Sequence, residues 1–256
     1  MRYGICTHVG NVAKVAAAGF DYIELRGDWI ATISDAEFEQ VRTTLAQSPI
    51  GCEALNFFFP GELKVVGPAV AATEVTAYIE RALARAAALG VTMIVVGSGK
   101  SRYVPEGWSK ERAWEQFGAA LTEVGRTAAQ YGITIVIEAI RSSSTNLVNN
   151  LTEAAALCEQ VAQSNVFIMA DYNQMAGEGE NINAVIATGR FIRHLHVIDT
   201  ANSYFPLHGD NQGLQAFFSA VKTIGYHDGI SVEIHDFESV ADAAASLKLL
   251  KIWLES

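Results

Sequence analysis

The stretch from Phe191 to Thr200 reads FIRHLHVIDT, a short apolar run that closes on a histidine and an aspartate. That is the pattern of a buried strand delivering polar groups at its C-terminal end. Three further runs are built the same way. ITIVIEA (133–139) reaches Glu138, VFIMADYNQ (166–174) reaches Asp171, and GISVEIH (229–235) reaches Glu233. Four consecutive strand patterns therefore each present one metal-type ligand: Glu138, Asp171, His196 and Glu233. Their convergence on a single divalent cation is the organising expectation.

Working outward, strand patterns also occur near Tyr3–Cys6, Tyr22–Leu25, Gly51–Leu55 and Met93–Val96. With Ile133–Glu138, Val166–Ala170, His194–Ile198 and Ile230–Ile234 they make eight. Most are continuous apolar runs, as expected for strands of a parallel sheet buried on both faces. Helical patterns lie between them. Val75, Ile79, Ala82, Leu83, Ala86 and Leu89 recur at helical spacing and stop at Gly90, while Phe117, Leu121, Val124, Ala128 and Tyr131 stop at Gly132. Ser109 is placed to cap the second of these, with Glu111 in its first turn. Val240, Ala244 and Leu247 mark a last helix.

Eight strand–helix units without a linker, repeat or low-complexity tract predict an α/β fold: one closed (β/α)8 barrel over residues 1–256. An open doubly wound sheet is the alternative. Its dinucleotide-binding version is disfavoured because the first turn, CTHVGNVAK (6–14), lacks the GxGxxG fingerprint. In a barrel, function sits at the C-terminal ends of the strands, where all four candidate ligands fall.

Half of the 256 residues are apolar and mean hydropathy is +0.18, enough for a sizeable core. No apolar run approaches the roughly 18–20 residues of a membrane helix. The N-terminus, MRYGICTHVG, enters a strand pattern without a signal-peptide core, and Cys6, Cys52 and Cys158 form no CxxC pair. A cytoplasmic protein with reduced thiols is expected. The net charge of −10 disfavours a nucleic-acid partner. A small-molecule enzyme or binder remains.

Three carboxylates and one imidazole suit a hard to borderline cation: Mn2+ first, with Mg2+, Co2+ or Zn2+ as further candidates. The rival account is a salt-bridge network in which Arg141 and Arg193 neutralise the acids. Two arginines would do so poorly for three buried carboxylates.

The order Glu, Asp, His, Glu on strands five to eight resembles the xylose-isomerase-like TIM barrels. These include tagatose-3-epimerase-type sugar epimerases, hydroxypyruvate isomerase and the endonuclease IV branch. IELRGD (23–28), GSGKSRYVPEGWS (97–109), IVIEA (135–139), MADYNQM (169–175), HLHVIDT (194–200) and GYHDGISVEIH (225–235) carry the resemblance across nearly the whole chain. In the epimerases, the glutamates matching Glu138 and Glu233 bind the metal and face opposite sides of the substrate. The resemblance thus implies Glu138 and Glu233 as the acid/base pair, Asp171 and His196 as holders of the metal, and a sugar or sugar-like keto substrate. It also admits a homo-oligomer, since members often pair through their barrel faces.

The chain departs from the tagatose-type pattern at three substrate-side positions. Gln174 stands where those epimerases have histidine, Asn202 where they have arginine, and Ser144 where they have glutamate. Further substrate-contact candidates are His8, Glu24, Asn56, Arg102, Asn146, Gln174, Asp199 and His208. Several have a plainer reading beside them. His8 fits a surface turn, Glu24 a support for the site, and Arg102 with Lys100 a solvated loop. Asn146 and Asn149 fit the start of a helix, and Asp199 a contact behind the site. Phe57, Phe58 and Phe59 read as pocket wall or core, and His227 and His235 as incidental. Strand alternation is expected to turn His194 to a different face from His196, in a supporting role.

The leading function is a divalent-metal-dependent isomerase or epimerase acting through an enediolate. The alternative is a dehydratase or other lyase on a cyclic polyol ketone or keto-acid through the same intermediate. An abasic-site endonuclease is disfavoured because no histidine lies between His8 and His194 to build a histidine-rich site. A non-catalytic carbohydrate-binding barrel completes the set.

Overall fold

A computed structural model describes residues 1–255. Eight strands, β1 (Arg2–Cys6), β2 (Tyr22–Arg26), β3 (Gly51–Asn56), β4 (Met93–Val96), β5 (Thr134–Glu138), β6 (Val166–Asp171), β7 (Ile192–Val197) and β8 (Gly229–Glu233), pair in parallel in chain order. β1 is hydrogen-bonded to both β2 and β8, so the sheet closes on itself and the open-sheet alternative is excluded. All eight expected strands form, with ends shifted by two residues at most.

The helices are α1 (Val12–Ala17), α2 (Gly27–Thr32), α3 (Asp35–Ala46), α4 (Ala72–Ala88), α5 (Lys110–Ala129), α6 (Leu151–Val161), α7 (Tyr172–Glu178), α8 (Asn183–Thr188), α9 (Gln212–Thr223) and α10 (Val240–Glu255). α4 and α5 fall where the apolar spacing places them. Ser109 caps α5 by accepting from the Arg112 amide. Gly90 and Gly132, with φ of +77° and +68°, turn the chain from α4 and α5 towards the next strands. No helix among the described residues is long and apolar enough to cross a membrane.

Two environments separate on the sheet. Residues such as Ile94, Ile135, Ile137, Ile168 and Leu195 join the large core between strands and helices. Val95, Val136 and Met169 form a small separate cluster. These three alternate with the first group along their strands, which places them inside the barrel. Elsewhere the interior is polar, holding Tyr22, Glu24, His194, His196 and Ser231, all buried and hydrogen-bonded together. Gly4 makes this possible, since a Cβ there would lie 2.1 Å from the Tyr22 ring.

Phe117 of α5 is fully buried and lies under the Arg102 guanidinium, 5.2 Å from ring centre to Cζ. Phe117→Ala should therefore cost about 3–5 kcal/mol. Urea denaturation with an unchanged m-value checks this, and a loss below about 1 kcal/mol would contradict the packing described.

Candidate metal centre and active site

Period-two alternation carries one interior residue to the mouth of each strand. Val136 leads to Glu138, Met169 to Asp171, His194 to His196, and Ser231 to Glu233. Glu138, Asp171 and His196 are buried, and each offers a ligand atom within 4.8 Å of the others'. Their surroundings leave selected atoms free. Asp171 Oδ1 accepts from the amides of Asn173 (2.7 Å) and Gln174 (3.1 Å), which caps α7. Asp171 Oδ2 has no hydrogen-bond partner, and it faces His196 Nδ1, also unpartnered, across 4.0 Å.

The other side of His196 is fixed. Its Nε2 lies 2.9 Å from Glu24 Oε1, and a carboxylate can only accept, so Nε2 carries a proton. Nδ1 is the nitrogen left facing Asp171. Burial alone would lower the imidazole, but Cys6 and Glu24 outweigh it and hold it well above its ordinary range. A cation bound there would take the place of the Nδ1 proton, as in a carboxylate–histidine–metal arrangement. Two buried, unpartnered atoms, Asp171 Oδ2 and His196 Nδ1, beside a second carboxylate, Glu138, fit a cation.

Cys6, Glu24 and His196 also bring ligand atoms within 4.8 Å of one another. Here the lone pairs are spent. Glu24 Oε2 accepts from Ser231 (2.6 Å) and pairs with His194 Nε2 (3.0 Å), while Oε1 holds His196. Burial alone would raise the Glu24 carboxyl, but His196 and His194 outweigh it and hold it well below the ordinary range. This group is a hydrogen-bond network behind the site, and the orphaned atoms distinguish it from the Glu138–Asp171–His196 group.

Gly97, at the end of β4, gives Glu138 its room: a Cβ there would sit 1.6 Å from Glu138 Oε2. Burial, then Asp171 and Glu233, push the Glu138 carboxyl well above its ordinary range. Glu233 is half-buried and outside the 4.8 Å group. Burial and then Asp171 lift its carboxyl from 4.5 to about 7.

Beside this cluster a cavity of about 460 Å³ opens over β1, β2 and β3, with His8, Glu24, Arg26, Trp29, Asn56 and His235 among its walls. His8 and Asn56 both line this cavity, and Asn56 Oδ1 is buried without a partner. His235, read from sequence as incidental, shares the same wall.

Several expectations need correction. His194 does not face away from His196: both imidazoles reach Glu24, because residues two apart share a strand face. Arg102 is not a loop cation available to substrate. It is fully buried, donating to the carbonyls of Glu138 (2.8 Å), Val148 (3.3 Å) and Val96 (3.4 Å). Asn146 is spent tying the loops together, exchanging hydrogen bonds with the Val104 backbone at 2.7 and 2.9 Å. Neither Asn146 nor Asn149 caps α6; Asn150 does. Glu24 lines the cavity, but both of its oxygens are engaged by His196, His194 and Ser231. Asp199 closes its own turn by accepting from the Ala201 amide, and His208 is exposed. Gln174 accepts from Arg141.

The salt-bridge account also fails. Among the described residues neither Arg141 nor Arg193 forms an ion pair with an acid, and Arg193 lies over the Phe167 ring instead. Sequence reading missed Ser231, Tyr22, Cys6 and Gly97. Inward alternation on β1, β2, β4 and β8 was the available signal for all four.

Fold and site together define a closed (β/α)8 barrel with a candidate cation centre at its C-terminal mouth. The chain belongs to the xylose isomerase-like TIM barrel family, whose model matches residues 12–253. It is 26% identical over 252 residues to an L-ribulose 3-epimerase of Mesorhizobium japonicum, covering 95% of this chain and 80% of that protein. It is 27% identical over 234 residues to an inosose isomerase of Bacillus velezensis, covering 84% and 79%. A solved D-psicose 3-epimerase in the presence of D-fructose superposes with a TM-score of 0.84 at 19% identity, covering the whole of both chains.

Carboxyls raised in the metal-free protein make its stability fall with pH. The contribution of Glu233 is complete below about 4.5 and lost as pH rises through about 7. Thermal melts of the metal-free protein should decline across that window, and saturating Mn2+ should remove the decline. A flat metal-free profile, or the same slope with Mn2+, would count against the site. Gly97→Ala should fold normally yet lose at least tenfold in Mn2+ affinity, because only the flexible end of Glu138 has to move.

Proposed function

We propose that the chain is a divalent-metal-dependent isomerase or epimerase of a ketose or sugar-like keto compound. The observation that carries this is the pair of buried, unpartnered atoms, Asp171 Oδ2 and His196 Nδ1, facing each other beside Glu138. Glu138, Asp171, His196 and Glu233 would hold the cation. The donor set favours Mn2+, with Mg2+, Co2+ or Zn2+ as the other candidates. The names of the relatives, an L-ribulose 3-epimerase and an inosose isomerase, support a polyol ketone as substrate.

Bound there, the cation supplies Lewis-acid polarisation of a carbonyl, which makes the neighbouring C–H acidic. The remaining work falls to the chain. Glu138 on β5 and Glu233 on β8 approach the mouth from strands separated by β6 and β7. One removes the substrate proton and the other returns one to the enediolate, on the opposite face for epimerisation. Asp171 and His196 are anchored by α7 and by Glu24, so they hold position while the glutamates exchange protons. The neighbouring cavity, with His8 and Asn56, would take the rest of the substrate.

A second reading, a dehydratase acting through the same enediolate, is favoured by one observation. Ser144, Gln174 and Asn202 replace the glutamate, histidine and arginine of the tagatose-type pattern, and Gln174 Oε1 is committed to Arg141. Incubating the Mn2+-loaded protein with ketoses and cyclic polyol ketones in D2O separates the two. Deuterium incorporation without loss of water supports isomerisation, and an unsaturated product supports the second reading. Glu138→Gln and Glu233→Gln should each fold and lower exchange by about 10²–10⁴-fold. A near-normal rate in either variant removes that residue from the acid/base pair.

A further inference from the structure

We propose that Arg141 binds an anionic group on the substrate, a phosphate ester or a carboxylate, and that Gln174 is the residue that positions it. The inference rests on the enzyme reading above and narrows its substrate class.

Arg141 lies three residues beyond Glu138, on the loop leaving β5 at the mouth of the barrel, and is half-buried. Adjacent strands β5 and β6 carry Glu138 and Asp171, so the loop that holds Arg141 borders the acid cluster. Gln174, three residues beyond Asp171, fixes it from below. Gln174 Oε1 accepts from Arg141 Nε at 3.0 Å and from the Arg141 amide at 3.3 Å. Gly177 of α7 lets the guanidinium lie flat, since a Cβ there would come within 2.9 Å of Nη1. The side chain is thus held at Nε, and Nη1 and Nη2 make no hydrogen bond or ion pair among the described residues. That edge is the fork that matches two oxygens of a carboxylate or phosphate.

Three other basic side chains are committed. Arg26 pairs with Asp28, Lys14 with Glu238 and the Phe237 carbonyl, and Arg102 with backbone carbonyls. In a chain of net charge −10, an unpaired and braced guanidinium beside the acid cluster is a selective place for an anion. It also accounts for Gln174. Where the tagatose-type epimerases have histidine, this chain uses an amide oxygen to aim an arginine.

The test uses the full-length Mg2+-loaded protein, with inorganic phosphate and gluconate as binding probes followed by calorimetry. Arg141→Met should weaken at least one probe tenfold or more. Arg141→Lys should recover only part of that affinity, and Gln174→Ala should lose severalfold while the charge stays. The probe that responds distinguishes phosphate from carboxylate. A second arm measures deuterium exchange with a neutral ketose, its phosphate ester and a keto-acid of similar size. The anionic substrate should show the lower KM, and Arg141→Met should abolish that advantage with kcat changed less than KM. If Arg141 only offsets the acids, Arg141→Met will tighten Mg2+ binding and leave both probes unaffected, which overturns the proposal. Exchange that ignores substrate charge in both proteins overturns it while the enzyme reading stands. Loss of probe binding in Arg141→Met with no exchange on any ketone leaves the anion site standing and removes the enzyme reading.

Discussion

A carboxylate shut away from water must find its hydrogen bonds inside the protein, and Glu24 is fully buried. Its two oxygens are met by His196, His194 and Ser231, and Ser231 is met in turn by Tyr22. Much follows from that constraint. The interior beside β1, β2, β7 and β8 is polar where the β4–β6 side is closed by Val95, Val136 and Met169. Gly4 must lack a side chain so that Tyr22 fits. Above all, Nε2 of His196 is held by Glu24, which turns Nδ1 towards Asp171. The candidate cation site is thus defined from behind, by a residue whose two oxygens are already engaged.

The same division of labour appears at Asp171. One oxygen holds the first turn of α7 and the other is left bare. A ligand that is also a helix cap cannot swing, because moving it would strip the Asn173 and Gln174 amides of their acceptor. Gly97 completes the geometry by absence, since any side chain there would displace Glu138. The site is therefore rigid where it would hold metal and adaptable where it would meet substrate. Its ligands stand on strand ends, while Arg141, His8 and Arg26 lie on or beside the connections.

How far sequence reaches depends on the range of the interaction being read. Alternation and apolar runs are local, so all eight strands and the order Glu138, Asp171, His196 and Glu233 are legible in the chain itself. What depends on closure of the ring is not. β1 and β2 meet β7 and β8 across the barrel, and nothing within HLHVIDT announces that His194 and His196 share Glu24, some 170 residues away. The error over His194 is of another kind, a misapplied period, since residues two apart on a strand lie on one face. Arg102 misleads for a third reason. Residues in a loop sequence read as solvated, yet this guanidinium is the buried tie among three carbonyls and the Phe117 ring.

That burial of Arg102 bears on the substrate question. A barrel mouth that gathers Glu138, Asp171 and, further off, Glu233 repels anions until a cation neutralises part of the charge, and any further positive charge must be spent with care. Arg102 is spent on backbone, Arg26 on Asp28, and Arg193 lies over Phe167, away from the mouth acids. Of these four arginines only Arg141 is both braced and unspent, and its brace, Gln174, grows from the same turn that Asp171 caps. Metal ligand, helix cap and guanidinium support thus form one continuous piece of backbone between Asp171 and Gly177. A cation drawn to Asp171 and an anion drawn to Arg141 would be positioned by the same rigid turn, which fixes the distance between a substrate's reacting carbonyl and its charged end.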